Sequence, residues 1–188
     1  MLSRRVFLFS ALSAASLPVL RYADLPGDVR KSKIAVFSEN ECPDTRLFYS
    51  CLPGKVLDSD PGLALQDLDR SMRRSEFDIV FGLTRDSNFV LIEQYALANS
   101  HQLHYHGTHR YQGQKISHSL KGDQALVESL SDQIADKQAQ WPAAVSQVPL
   151  LSQYNKVTMV NREIRSSHPH PSQGRGHLVS WLFYNRQA

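Results

Sequence analysis

Five of the chain's eight histidines fall within eighteen residues: His101, His104, His106, His109 and His118. Neutral imidazole ligates Zn, Cu or Ni, and it is the side chain most readily poised as an acid or base near neutral pH. If this segment is a strand, alternation sorts the histidines onto two faces. Gln102, His104, His106, Thr108 and Arg110 make one polar face, while Leu103, Tyr105, Gly107, His109 and Tyr111 make the other, mostly apolar. Ile116, His118 and Leu120 form a similar apolar face on a return strand. A two-residue turn at Gln112-Gly113 sets His118 opposite Gly107, with His109 its diagonal neighbour about 7–8 Å away. Two metal sites are expected from this pattern. His104 and His106 would share one ion, and His109 and His118 another, with a carboxylate, Cys42 or Cys51 completing either set. The H-x-H pattern also suits a solvated strand, and a histidine on an apolar face equally suits a hydrogen-bonded core. His168-Pro169-His170 is a lesser pair, in a loop.

A second group lies where a buried strand hands over to a helix, at Thr84-Arg85-Asp86-Ser87-Asn88. Backbone N–H groups at a helix start and a nearby guanidinium favour an anion. Arg85 is therefore expected to clamp a small anionic ligand, with Asp86, Ser87 and Asp58 beside it. Asp86 and Ser87 also suit plain helix caps. The chain contains no G-x-G-x-x-G, Walker loop, G-x-S-x-G, C-x-x-C or H-E-x-x-H. Dinucleotide-binding, P-loop, serine-hydrolase, thioredoxin-like and zincin chemistries therefore have no support.

The chain starts with Ser3-Arg4-Arg5-Val6-Phe7-Leu8 and an Ala/Ser-rich apolar run to Leu20. This resembles a twin-arginine (Tat) export signal, S/T-R-R-x-F-L-K, with Phe9 in place of the final Lys. The resemblance implies recognition by the Tat export machinery, a periplasmic location, and membrane attachment only if the segment stays uncleaved. The apolar run is shorter than the roughly twenty residues a membrane-spanning helix needs. Removing residues 1–22 takes Arg4, Arg5 and Arg21, which leaves 18 basic against 18 acidic residues. A neutral domain with no basic run is a poor nucleic-acid binder, so that class of partner is excluded. An oxidising compartment would permit a Cys42–Cys51 disulfide, and that pairing is expected if the segment loops. If residues 42–51 are helical, the Cα atoms lie about 13 Å apart and both thiols stay free. Cys42 ahead of Pro43-Asp44 could also be a nucleophile, but Arg46 misses the C-x5-R spacing of cysteine phosphatases.

These groups need elements to hold them. Residues 23–31 read as a linker and 32–188 as one α/β domain. Short strands are expected at 34–37, 55–57 and 77–83, and helices from Asp60-Pro61 and over 87–98. The second helix is apolar nearly all round, which predicts a central, well-covered element. A hairpin over 101–111 and 115–120 follows, then a helix capped by Asp123 and ended by Trp141-Pro142. Two further strands, 156–164 and 177–184, flank a Pro/Gly-rich loop and read as a second hairpin. The expected architecture is a three-layer sandwich, its mixed, mostly parallel sheet extended by antiparallel hairpins. The expected function is binding of a small ligand or metal at the strand rim. The alternatives are a small hydrolase at the same rim, with Asp58, Asp86 or a histidine as base, and an accessory protein using its Ser166–Gly176 loop with Arg162, Arg165 and Arg175.

Overall fold

The computed structural model describes residues 33–38, 42–52, 65–136, 140–152, 158–165 and 176–186. Residues 1–32, the strand expected at 55–57, the helix start at Asp60-Pro61, Asp58 and His168-Pro169-His170 lie outside the described residues. The fold is of the α/β class. Six strands, β1 (Ile34–Ser38), β2 (Ile79–Arg85), β3 (His101–Gln112), β4 (Lys115–Asp123), β5 (Met159–Arg165) and β6 (His177–Asn185), form one mixed sheet in the order β1-β2-β6-β3-β4-β5. The helices are α1 (Pro43–Ser50), α2 (Leu65–Arg73), α3 (Asp86–Ala98), α4 (Gln124–Asp136), α5 (Trp141–Val145) and α6 (Val148–Leu151). Among the described residues, no helix is long and apolar enough to cross a membrane.

The expected predominance of parallel pairing is corrected. Among the described strands only β1 and β2 run parallel; the other four pairings are antiparallel. The cause is β6. It does not pair with β5 as a hairpin but enters between β2 and β3. Its sequence, Leu-Val-Ser-Trp-Leu-Phe-Tyr, is apolar on both faces and buried throughout, as a central strand must be. β5, Met-Val-Asn-Arg-Glu-Ile-Arg, has only Val160 and Ile164 to bury and takes the edge.

Apolar side chains line both faces of the sheet's β1-β2-β6 half. On one face Ala35, Val80, Val179, Trp181 and Phe183 pack with Leu68 and Met72 of α2 and with Phe89, Ile92 and Ala96 of α3. On the other, Phe81, Leu83, Leu182, Tyr105 and Leu120 pack with Phe48 of α1, Leu130 of α4, Trp141 of α5 and Val148 of α6. We call the α2/α3 face outer and the other inner. The α3 helix is not covered all round: Phe89, Ile92 and Ala96 are buried, while Val90, Leu91 and Leu97 face solvent.

Helix α1 decides the cysteine question. Cys42 is its N-cap, with its sulfur accepting from the Thr45 N–H and the Thr45 hydroxyl accepting from the Cys42 N–H. Cys51 is the C-cap at the other end. A helix between them holds the two thiols apart, so the expected disulfide is corrected to two free cysteines. Both are partly exposed. A thiol reagent should therefore titrate two groups per chain in native buffer, and dithiothreitol should leave the melting temperature unchanged. A single mass loss of two hydrogens would contradict this arrangement.

Candidate functional site

The β3–β4 hairpin forms where expected, with its turn one residue later and its cross-strand pairing therefore two residues out of the expected register. Gly113 has φ +64° and takes the first central turn position, the place a type II′ turn reserves for glycine. The turn is therefore Gly113-Gln114, and His118 lies directly opposite His109 instead of Gly107. Both point inward and are buried. Their Nδ1 atoms are 2.7 Å apart, so one imidazole donates to the other. His109 Nε2 lies 2.8 Å from Ser180 Oγ, and Tyr105 Oη lies 2.9 Å from the same hydroxyl. Ser180 Oγ also lies 3.5 Å from the Gly107 carbonyl oxygen, so two directions fit the chain: from Tyr105 through Ser180 and His109 to His118, or from His118 through His109 to Ser180, whose hydroxyl then donates to Gly107. Trp141 closes the chain from above, stacked on His109 with ring centroids 4.0 Å apart.

Gly107 makes room for this chain. A Cβ there would stand 2.4 Å from Tyr105 Oη and 2.5 Å from Ser180 Oγ. Burial raises the Tyr105 phenol and depresses the His109 imidazole well below its ordinary value, with nearby His118 and His106 adding to the latter. The chain is thus neutral, closed to solvent and structural in character.

The pair His104 and His106 does not form. The register of β3 against β6 shifts between Leu103 and Tyr105, a β-bulge that places His104 on the inner side against Tyr184. His106 stays on the outer face, its ring 4.9 Å from that of Phe89 on α3. Two side chains on opposite faces of a sheet cannot share an ion, which corrects that expectation. His109 and His118 do meet, but at hydrogen-bond distance. Two metal–nitrogen bonds of about 2.0–2.1 Å at a tetrahedral angle would need the nitrogens about 3.3 Å apart. No group of three or more His, Cys, Asp or Glu residues that could hold an ion stands among the described residues.

Of the rim residues, Arg85 is the exposed N-cap of α3, and Asp86 and Ser87 begin that helix in solvent. Thr84 is buried, its hydroxyl accepting from Trp181 Nε1 at 3.1 Å. Asp86 draws the His106 imidazole up slightly, against burial and Lys121, which together hold it below its ordinary value. The first turn of α3 thus lies beside His106, at the border of the hairpin's outer face.

That outer face is the concave surface. The register aligns Arg110, Ser117 and Arg165 across β3, β4 and β5, and beside them Thr108, Ser119 and Glu163. With Lys115 these residues line an open concavity of about 490 Å³. Neither Arg110, Lys115, Arg165 nor Glu163 forms an ion pair with another described residue. Reading β3 alone shows Thr108 and Arg110 as its polar side, but the matching Lys115, Ser117 and Ser119 of β4 and Glu163 and Arg165 of β5 were missed. The same alternation, read across all three strands together, would have found them. Asp44 was missed too: buried at the start of α1, it accepts from the Tyr111 hydroxyl and ties that helix to β3.

Two outcomes follow. Ser180→Ala strips Tyr105 and His109 of a shared buried partner and should cost about 1–3 kcal/mol in urea unfolding. Adding Tyr105→Phe should cost less than the sum of the two single changes, because the hydroxyls belong to one network. The pH dependence has a definite sign. His104, His106 and His109 are all depressed, chiefly by burial. The folded chain therefore binds fewer protons than the unfolded chain below about pH 6.5. Stability should hold above that pH and fall as the pH drops below it. A urea midpoint that rises on acidification from pH 7 to 5 would contradict this.

Comparison with known proteins gives no match, whether to a family model, a curated protein or a solved structure.

Proposed function

We propose that this chain is an exported, periplasmic protein that binds a small anionic ligand on the polar outer face of its histidine hairpin. The helices α2 and α3 on one side, with α1, α4, α5 and α6 on the other, support a three-layer frame for that face. The export part rests on the twin-arginine pattern of residues 3–8. The binding part rests on one observation. Arg110 and Arg165 flank Ser117 in one cross-strand row, with Lys115 nearby, and none of the three forms an ion pair with a described carboxylate.

A row of this kind suits an anion for physical reasons. Adjacent strands lie about 4.8 Å apart, so the two arginine Cα atoms are about 10 Å apart with a hydroxyl midway. Each guanidinium offers a planar fork of donors that matches a carboxylate or phosphate edge. Arg85 and Asp86 border this face at the start of α3 and are peripheral in this reading. A Zn, Cu or Ni ion is not part of it, since only His109 and His118 meet, and they already satisfy each other.

The test is calorimetric titration of the purified protein with butanoate and with inorganic phosphate at low ionic strength. Saturable binding of at least one is expected. Arg110→Ala and Arg165→Ala should each weaken it ten- to a hundredfold, the equivalent of a charged hydrogen bond worth about 1.5–3 kcal/mol. Melting temperatures should stay within about 2 °C of the parent, because both side chains are exposed. Binding indifferent to both substitutions would refute this site.

A further inference from the structure

The concavity carries a second, opposite charge, and its position narrows the ligand. Glu163 is the one carboxylate among the lining residues. It is exposed, it lies one same-face step along β5 from Arg165, and it pairs across the ladder with Ser119, behind which stands Thr108. The face therefore has two parallel rows about 6.7 Å apart. One row is cationic, Arg110–Ser117–Arg165. The other is anionic with hydroxyls, Thr108–Ser119–Glu163. Ser119 donates its hydroxyl to Asn161 Oδ1 at 3.2 Å, so the oxygen itself can still accept.

Resting on the anion-binding reading above, we infer that the ligand is zwitterionic: an amino-carboxylic acid whose carboxylate lies on the Arg110–Arg165 row and whose ammonium lies on Glu163. Each alternative class meets a specific cost. A dicarboxylate or a phosphate dianion spanning both rows sets its second charge against Glu163, and like charges at such distances repel. A simple monocarboxylate satisfies the arginines and leaves Glu163 with water alone. An ammonium has three donors, and Glu163, Ser119 and Thr108 are all acceptors in one row. The spacing is attainable as well. Four bonds of about 1.5 Å place the carboxylate carbon and nitrogen of 4-aminobutanoate about 5 Å apart. Flexible arginine and glutamate side chains span the remainder.

The experiment is a titration of the purified protein with four probes at matched ionic strength: 4-aminobutanoate, butanoate, succinate and inorganic phosphate. Binding is read from amide chemical shifts of the hairpin and from calorimetry. The inference expects 4-aminobutanoate to bind at least tenfold more tightly than butanoate. In Glu163→Gln that advantage should shrink below about twofold, with butanoate binding as tightly as in the parent or more tightly, because a like charge beside its carboxylate is gone. Succinate or phosphate binding most tightly, still weakened by Arg110→Ala, overturns the zwitterion and leaves the anion site standing. Equal affinities for 4-aminobutanoate and butanoate overturn it in the same way. No binding of any of the four probes overturns both the zwitterion and the anion site. Glu163 is exposed and on an edge strand, so Glu163→Gln should fold like the parent; its melting temperature verifies this.

Discussion

The sheet is one sheet only because β6 pairs on both sides. β1 and β2 form one half, β3, β4 and β5 the other, and among the described residues no ladder joins them except through β6. The strand can do this because it is apolar on both parities, with Val179, Trp181 and Phe183 under α2 and α3 and Leu182 and Tyr184 on the opposite side. Its neighbours are shaped to it. Gly82 lies directly across from Trp181, where a Cβ would stand 2.5 Å from the indole ring, and the Trp181 N–H finds Thr84. Burial of such a strand outweighs the long closure of its ends, since loop entropy grows only slowly with length.

Ser180 is the polar interruption in that strand, and it explains how the two faces of the hairpin depend on each other. Inside, Ser180 takes Tyr105 and His109, and His109 takes His118. A buried network of this sort tolerates no slip. A shift of one residue would turn the imidazoles outward and drive Arg110 and Ser117 into the core, against Trp141. The inner chain thereby fixes the register, and the register is what aligns Arg110, Ser117 and Arg165 on the outside. Few contacts on the outer face could enforce that alignment themselves. The histidines that first suggest chemistry thus act as the positioning device for residues one step away in sequence.

Most of the elements could be read from the sequence, because their signals are local. The Asp123 cap does bond the Ala125 and Leu126 N–H groups, and the hairpin strands, α3 and both late strands lie close to their expected positions. What failed depends on partners. The bulge at His104 arises from pairing with β6, and no pattern within β3 announces it. The turn lies one residue later than expected because Gly113, and not Gln112, occupies the φ > 0 position. The β5–β6 hairpin was inferred from adjacency, although the contrast between a two-sided apolar run and a half-polar one already favoured centre and edge. Cys42 was read for redox chemistry, while its place ahead of Pro43 and three residues before Thr45 is that of an N-cap.

The binding face we propose lies on an open sheet, and that gives it a particular energetic character. Its charges are solvated, so isolated ion pairs there are worth little and salt screens them within about 10 Å. Affinity must come from geometry: two guanidinium forks whose backbone positions the sheet holds in register. The same arrangement sets a cost on the empty protein, because Arg110, Lys115 and Arg165 repel one another with only Glu163 among the lining residues to offset them. An anion on that row relieves the repulsion in the folded state alone, since the unfolded chain scatters the three cations. In the proposed reading ligand binding and folding are therefore linked, and occupancy would stabilise the edge of the sheet, β4 and β5, more than its β6-centred core.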